Sequence, residues 1–132
     1  MIKNYTDLEQ SKKLAEILSL ESADMSYSLN FDSGIYEIST VSYKNWVVPK
    51  YAQPDDGFGQ VIPCWSLASL LGVLPKNLNI GRPSLESNYK GYYWIQYYDG
   101  FMLPNNYKTE VFNNPVDACV AMVELLHELE ML

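Results

Sequence analysis

The chain has 132 residues, 48% hydrophobic and 19% charged, a balance that excludes a disordered chain and predicts one domain, residues 1–132, able to bury a core without staples. Nine Lys and Arg stand against sixteen Asp and Glu, a formal charge of -7. The basic residues are scattered, which argues against a nucleic-acid partner, since phosphate binding needs a concentrated cationic field.

No apolar run approaches a membrane span, and Met1-Ile2-Lys3-Asn4-Tyr5 lacks the charged and apolar regions of a signal peptide. Cys64 and Cys119 sit in separate apolar stretches read as helical, and both read as reduced core thiols, so the expected setting is the cytoplasm. Eleven tyrosines and three tryptophans favour half-buried positions and interfaces.

In chain order, Thr6-Asp7-Leu8-Glu9 reads as a capping box that opens a helix ending near Leu20, with Leu14, Ile17 and Leu18 on its apolar side. Met25, Tyr27, Leu29 and Phe31 alternate with polar residues as in a short strand. Ile35 to Tyr43 and Trp46-Val47-Val48 are rich in β-branched and aromatic residues, and Pro49 stops them. A long loop over 49–61 carries Pro54, Asp55-Asp56, Gly57 and Gly59. Ile62 to Leu71 predicts a short helix that Gly72 ends, and 76–90 a second loop.

Tyr92 to Tyr98 alternates two aromatic faces, which predicts a central strand covered on both sides. Asp99-Gly100 predicts a hairpin with Phe101-Met102-Leu103 as its return, and Tyr107 to Phe112 a further strand. Asn114 as cap, Pro115 at the first helical position and Asp117 in the first turn open a terminal helix. Its expected core stripe is Ala118, Met122, Leu125, Leu129 and Leu132, widened by Cys119 and Leu126. From Thr109 onward there are five carboxylates and no Lys or Arg, so the last turn opposes the helix dipole and is expected to fray. The order of elements predicts an α+β domain: a small antiparallel or mixed sheet packed by N-terminal, central and C-terminal helices.

Pro63-Cys64-Trp65-Ser66-Leu67-Ala68, the aromatic strand around Trp94, and Asn114-Pro115-Val116-Asp117-Ala118 resemble a group of short uncharacterised phage and prophage proteins of α-β-α sandwich type. The resemblance covers roughly the second half of the chain. It implies a fold and a genomic setting, and no reaction.

Two readings of function follow. Trp46, Tyr51, Phe58, Tyr89, Tyr92 and Trp94 are candidate aromatic anchors for another protein or a second copy of this chain, with no cofactor expected. The alternative is a thiol hydrolase. Gln60 followed by Cys64-Trp65-Ser66 at a helix start is similar to the papain-like placement of oxyanion glutamine and nucleophile, with His127 as the available base. Against it, the family's glycines are absent and His127 lies among leucines, where a surface pairing with Glu124 or Glu128 is the simpler expectation. Metal binding is not expected: there are two Cys, one His and no C-x-x-C, and Asp55-Asp56 supplies too few oxygens.

Overall fold

The computed structural model describes residues 3–45, 61–76, 81–98 and 107–132. The chain divides into two compact units, one formed by Tyr5–Ser69 and the other by Met1–Asn4 together with Leu70–Leu132. Both are helix packed on antiparallel strands, so the class is α+β, with the strands spread over two sheets.

The first unit begins with α1 (Leu8–Ala15), whose cap is one residue later than the sequence suggests. Asp7 accepts from the Gln10 backbone N–H at 2.8 Å, and the Gln10 side chain accepts from the Asp7 N–H at 3.1 Å. Thr6 and Glu9 have the same spacing, but Thr6 is fully buried and its hydroxyl is committed elsewhere. The helix also stops at Ala15, short of the expected Leu20; a single turn of 3-10 helix follows at Leu20–Ser22.

A three-stranded sheet follows, ordered β2 (Ile35–Ser39), β1 (Met25–Asn30), β3 (Val61–Cys64). The predicted helix over Ile62 to Leu71 is therefore a strand followed by a helix. Val61 to Trp65 are all buried, and Cys64 pairs with Met25 and Ile62 with Tyr27. A short apolar run does not itself distinguish strand from helix, and Pro63 is tolerated because β3 lies at the sheet edge. Helix α1 packs on β3. Trp65 is buried with its Nε1–H donating to Ser22 Oγ at 2.9 Å. The division between the units falls within α2 (Leu67–Val73), which also runs past Gly72.

In the second unit β4 (Arg82–Ser87) pairs with β5 (Tyr93–Tyr98), so the predicted loop over 76–90 contains a strand. Residues 107–112 lie along the other edge of β5, held by Tyr93 N–H to Phe112 O at 2.7 Å and Tyr97 N–H to Tyr107 O at 3.0 Å. This makes β5 central, as expected. Between the bridges Tyr93↔Phe112 and Gln96↔Lys108 the returning segment has one residue more than β5, a β-bulge. Thr109 repairs the ladder there: its hydroxyl accepts from Ile95 N–H at 3.0 Å and donates to Glu110 O at 2.9 Å.

Helix α3 (Pro115–Glu128) packs on β5, where Ile95 and Tyr97 are fully buried. Its start is as read from the sequence: Asn114 Oδ1 accepts from Asp117 N–H at 2.9 Å, Pro115 occupies the first turn, and Lys3 Nζ lies 2.9 Å from Asp117 Oδ1. The buried set is wider and centred differently. Val116, Ala118, Cys119, Val120, Met122, Val123 and Leu126 are inside, whereas Leu125 is half-buried and Leu129 is 46% exposed. The last turn is closed, where fraying was expected. Met131 N–H donates to Leu126 O at 2.8 Å and Glu130 N–H to His127 O at 3.1 Å, with Glu130 left-handed at φ 58°. That is a Schellman cap with Glu where Gly is usual.

Candidate functional site

Cys64 stands in the first unit with its sulfur inside, at 0% exposure. It is a strand residue, so it lacks the helix N-terminus that would stabilise a thiolate. Thr6 seals it. Thr6 Oγ1 donates to Cys64 Sγ, and Sγ donates to Thr6 O, both at 3.5 Å. The same hydroxyl accepts from Trp65 N–H at 3.2 Å and lies 2.7 Å from Ser11 Oγ; the Tyr27 hydroxyl donates to Thr6 O at 2.8 Å. Burial pushes the Cys64 thiol up, a trend that hydrogen bonds from Thr6 and Ser11 only partly offset. The group is thus a protonated thiol inside a satisfied polar node that ties α1, β1 and β3 together.

The other members of the thiol constellation give it no support. Gln60 lies outside the described residues. His127 is on the exposed last turn of α3, in the second unit. Both cysteines are free and buried, and burial pushes Cys119 up to about 12. Among the described residues no three His, Cys, Asp or Glu side chains converge as a metal ion requires. Asp55-Asp56 is outside them.

Of the candidate aromatic anchors, Trp46, Tyr51 and Phe58 also fall outside the described residues, while Tyr92 and Trp94 lie at and beside the start of β5. The strand alternates as predicted, but its two faces differ. Ile95 and Tyr97 point to the buried side, and the Tyr97 hydroxyl donates to Pro75 O at 2.7 Å. Trp94 and Gln96, on the opposite side, are only half-buried, and Tyr92 is 43% exposed, so the expected cover on both faces is incomplete.

This outer face is chemically mixed. The register sets Glu86 opposite Trp94, Ser84 opposite Gln96, and Lys108 beside Gln96 on the other edge. Trp94 Nε1–H donates to Gln96 Oε1 at 3.2 Å, Ser84 donates to Glu86 at 2.6 Å, and Lys108 Nζ stands 5.4 Å from the centre of the Trp94 ring. A cation over the most electron-rich aromatic face holds that ring in place without burying its edge. The connection into β5 is equally fixed: Asn88 Oδ1 accepts from Lys90 N–H at 3.0 Å and Tyr92 N–H at 3.1 Å, and Gly91 takes the left-handed φ of 83°. Tyr89, at its tip, is 94% exposed.

The sequence singles out Tyr92 and Trp94 as candidates but not the polar residues that share their face, Ser84, Glu86, Gln96 and Lys108. The signal available was Asn88 with Gly91 just before an aromatic strand, a turn pair that implies a preceding partner strand. It also missed the exposed apolar side chains of the β1–β2 hairpin in the first unit, Phe31, Ile35 and Ile38. No family model, no curated protein and no solved structure matches the chain.

Proposed function

We propose that this chain is a small, acidic, non-catalytic protein-binding domain of phage or prophage type, and that it engages its partner through Tyr92, Trp94 and the polar residues around them. The observation that carries the reading is the asymmetry of β5: one face is sealed by α3, while the other keeps aromatic rings half exposed and oriented by Gln96 and Lys108. Aromatic anchors within a polar rim are the usual anatomy of a protein interface. The partner is another protein with a basic surface. Two copies of a chain carrying -7 repel each other, and the same charge attracts a basic partner. Two free thiols support a cytoplasmic setting. Among the described residues no helix is long and apolar enough to cross a membrane.

The test is capture from the native host with the wild-type chain and with a Tyr92→Ala/Trp94→Ala variant whose circular dichroism is unchanged, followed by titration of the purified partner. The expected loss is about tenfold or more in affinity, with further weakening at high salt. A Phe31→Ser/Ile35→Ser variant serves as the contrast. Loss of the partner with that variant, and not with the aromatic one, moves the site to the β1–β2 hairpin and overturns the assignment.

A further inference from the structure

A second feature of the same unit is independent of the aromatic face. Leu71, Lys76, Arg82 and Pro83 line an open recess of about 460 Å³, within the size range of small-molecule sites. Its frame is rigid. Leu74 is buried, the Tyr97 hydroxyl holds Pro75 O at 2.7 Å, and the pairing of Pro83 with Tyr97 fixes the start of β4. Lys76 Nζ donates to Leu71 O at 3.0 Å, so a cation sits at the C-terminal end of α2, where the helix dipole favours it.

Arg82 differs from Lys76 in having no side-chain hydrogen bond or ion pair among the described residues. In a chain with sixteen carboxylates, an unpaired guanidinium beside a second cation is a place where negative charge is wanted and not supplied internally. Among the described residues, Leu71 and Pro83 supply the apolar part of the lining. We propose that this recess binds a small organic carboxylate with an apolar body, the carboxylate taken by Arg82 in the two-point geometry guanidinium offers, Lys76 adding a second positive charge, and the body lying against Leu71 and Pro83.

The test is titration of the full chain with octanoate, followed by amide 1H–15N spectra. Saturable shifts are expected at Leu71, Lys76 and Arg82. Two controls separate charge from grease: 1-octanol, with the same chain and no charge, and the Arg82→Gln variant, whose side chain is exposed and whose fold is expected to survive. Octanoate should bind the wild type at least about tenfold more tightly than either 1-octanol to the wild type or octanoate to Arg82→Gln. No saturable shift with octanoate, equal binding of octanoate and 1-octanol, or octanoate binding unchanged in Arg82→Gln each overturns the proposal. None of these outcomes depends on capture of a protein partner.

Discussion

The Thr6 node of the first unit and the Trp94 face of the second are built from similar side chains, hydroxyls beside aromatic rings, yet they do opposite things. At Thr6 the polar groups are matched, with Ser11, Cys64 and Trp65 buried and Tyr27 half-buried, all bonded to one residue. At Trp94 the polar groups are also matched, Ser84 to Glu86 and Trp94 to Gln96, but they remain half exposed. Burial makes the difference. A satisfied network removed from water specifies the fold, because any lost partner leaves a stranded group, whereas a satisfied network at the surface holds its ring in place and leaves part of it open to solvent.

The largest expected effect breaks the buried network. Thr6→Val keeps the shape but strands the Trp65 N–H and the Ser11 hydroxyl, and should cost about 2 to 4 kcal/mol in urea denaturation. A loss below about 0.5 kcal/mol would mean that water reaches the node.

Alkaline pH probes the buried thiols. Both Cys64 and Cys119 are raised by burial, the latter to about 12, so each ionises at higher pH in the folded chain than in the unfolded one, where thiols titrate near pH 8.5. The stability is full below about pH 8.5 and falls as pH rises above it, by up to about 1.4 kcal/mol per pH unit for Cys119, with Cys64 acting in the same direction. Denaturation at pH 7.5 and pH 10 measures this, and Cys119→Ala should flatten the slope. An unchanged stability across that range would place the thiols in contact with solvent.

A smaller effect lies at the exposed rim of the first unit. Burial acts to raise the Asp24 carboxyl, but hydrogen bonds from the Ser66 hydroxyl and N–H and from Ser69 outweigh it and hold it below the ordinary value. A lowered carboxylate contributes stability above its unfolded pKa of about 3.9 and loses it as pH falls through the lower folded value. Asp24 is exposed, so Asp24→Asn should cost only about 1 kcal/mol at neutral pH, a cost that shrinks as pH falls below about 3.9 and disappears once pH is below the lowered folded value.

The smallest effect has the opposite sign. Glu130 takes the left-handed conformation at φ 58°, where a side chain is strained and glycine is not. Glu130→Gly should therefore stabilise the chain by up to about 1 kcal/mol, read as a higher melting temperature. A lower one would mean that the Glu130 side chain contributes more than its backbone costs.

The sequence was most legible where chemistry is local. Asn114, Pro115 and Asp117 specify the start of α3 because a cap needs only the residues beside it. Where two local answers had the same spacing, tertiary structure decided: Thr6 with Glu9 and Asp7 with Gln10 both fit a capping box, and the buried hydroxyl network takes Thr6. The core stripe of α3 was misplaced because its first turns are buried on most sides, which flattens the periodicity. Strand β4 was invisible for the converse reason. Arg82 to Ser87 carries only Pro83 and Leu85 as apolar side chains, because much of the strand's surface faces water. The aromatic half of the candidate site was readable in Tyr92 and Trp94; its polar half depends on cross-strand register, which a linear pattern does not carry.

The contrast between the two networks is tested most directly by measuring partner capture for Thr6→Val and Tyr92→Ala/Trp94→Ala side by side, at a temperature where denaturation curves show both variants folded. Thr6→Val should retain the partner at wild-type affinity despite its lower stability, and the aromatic variant should lose it despite a retained fold. Retention of the partner by the aromatic variant at wild-type affinity would contradict it.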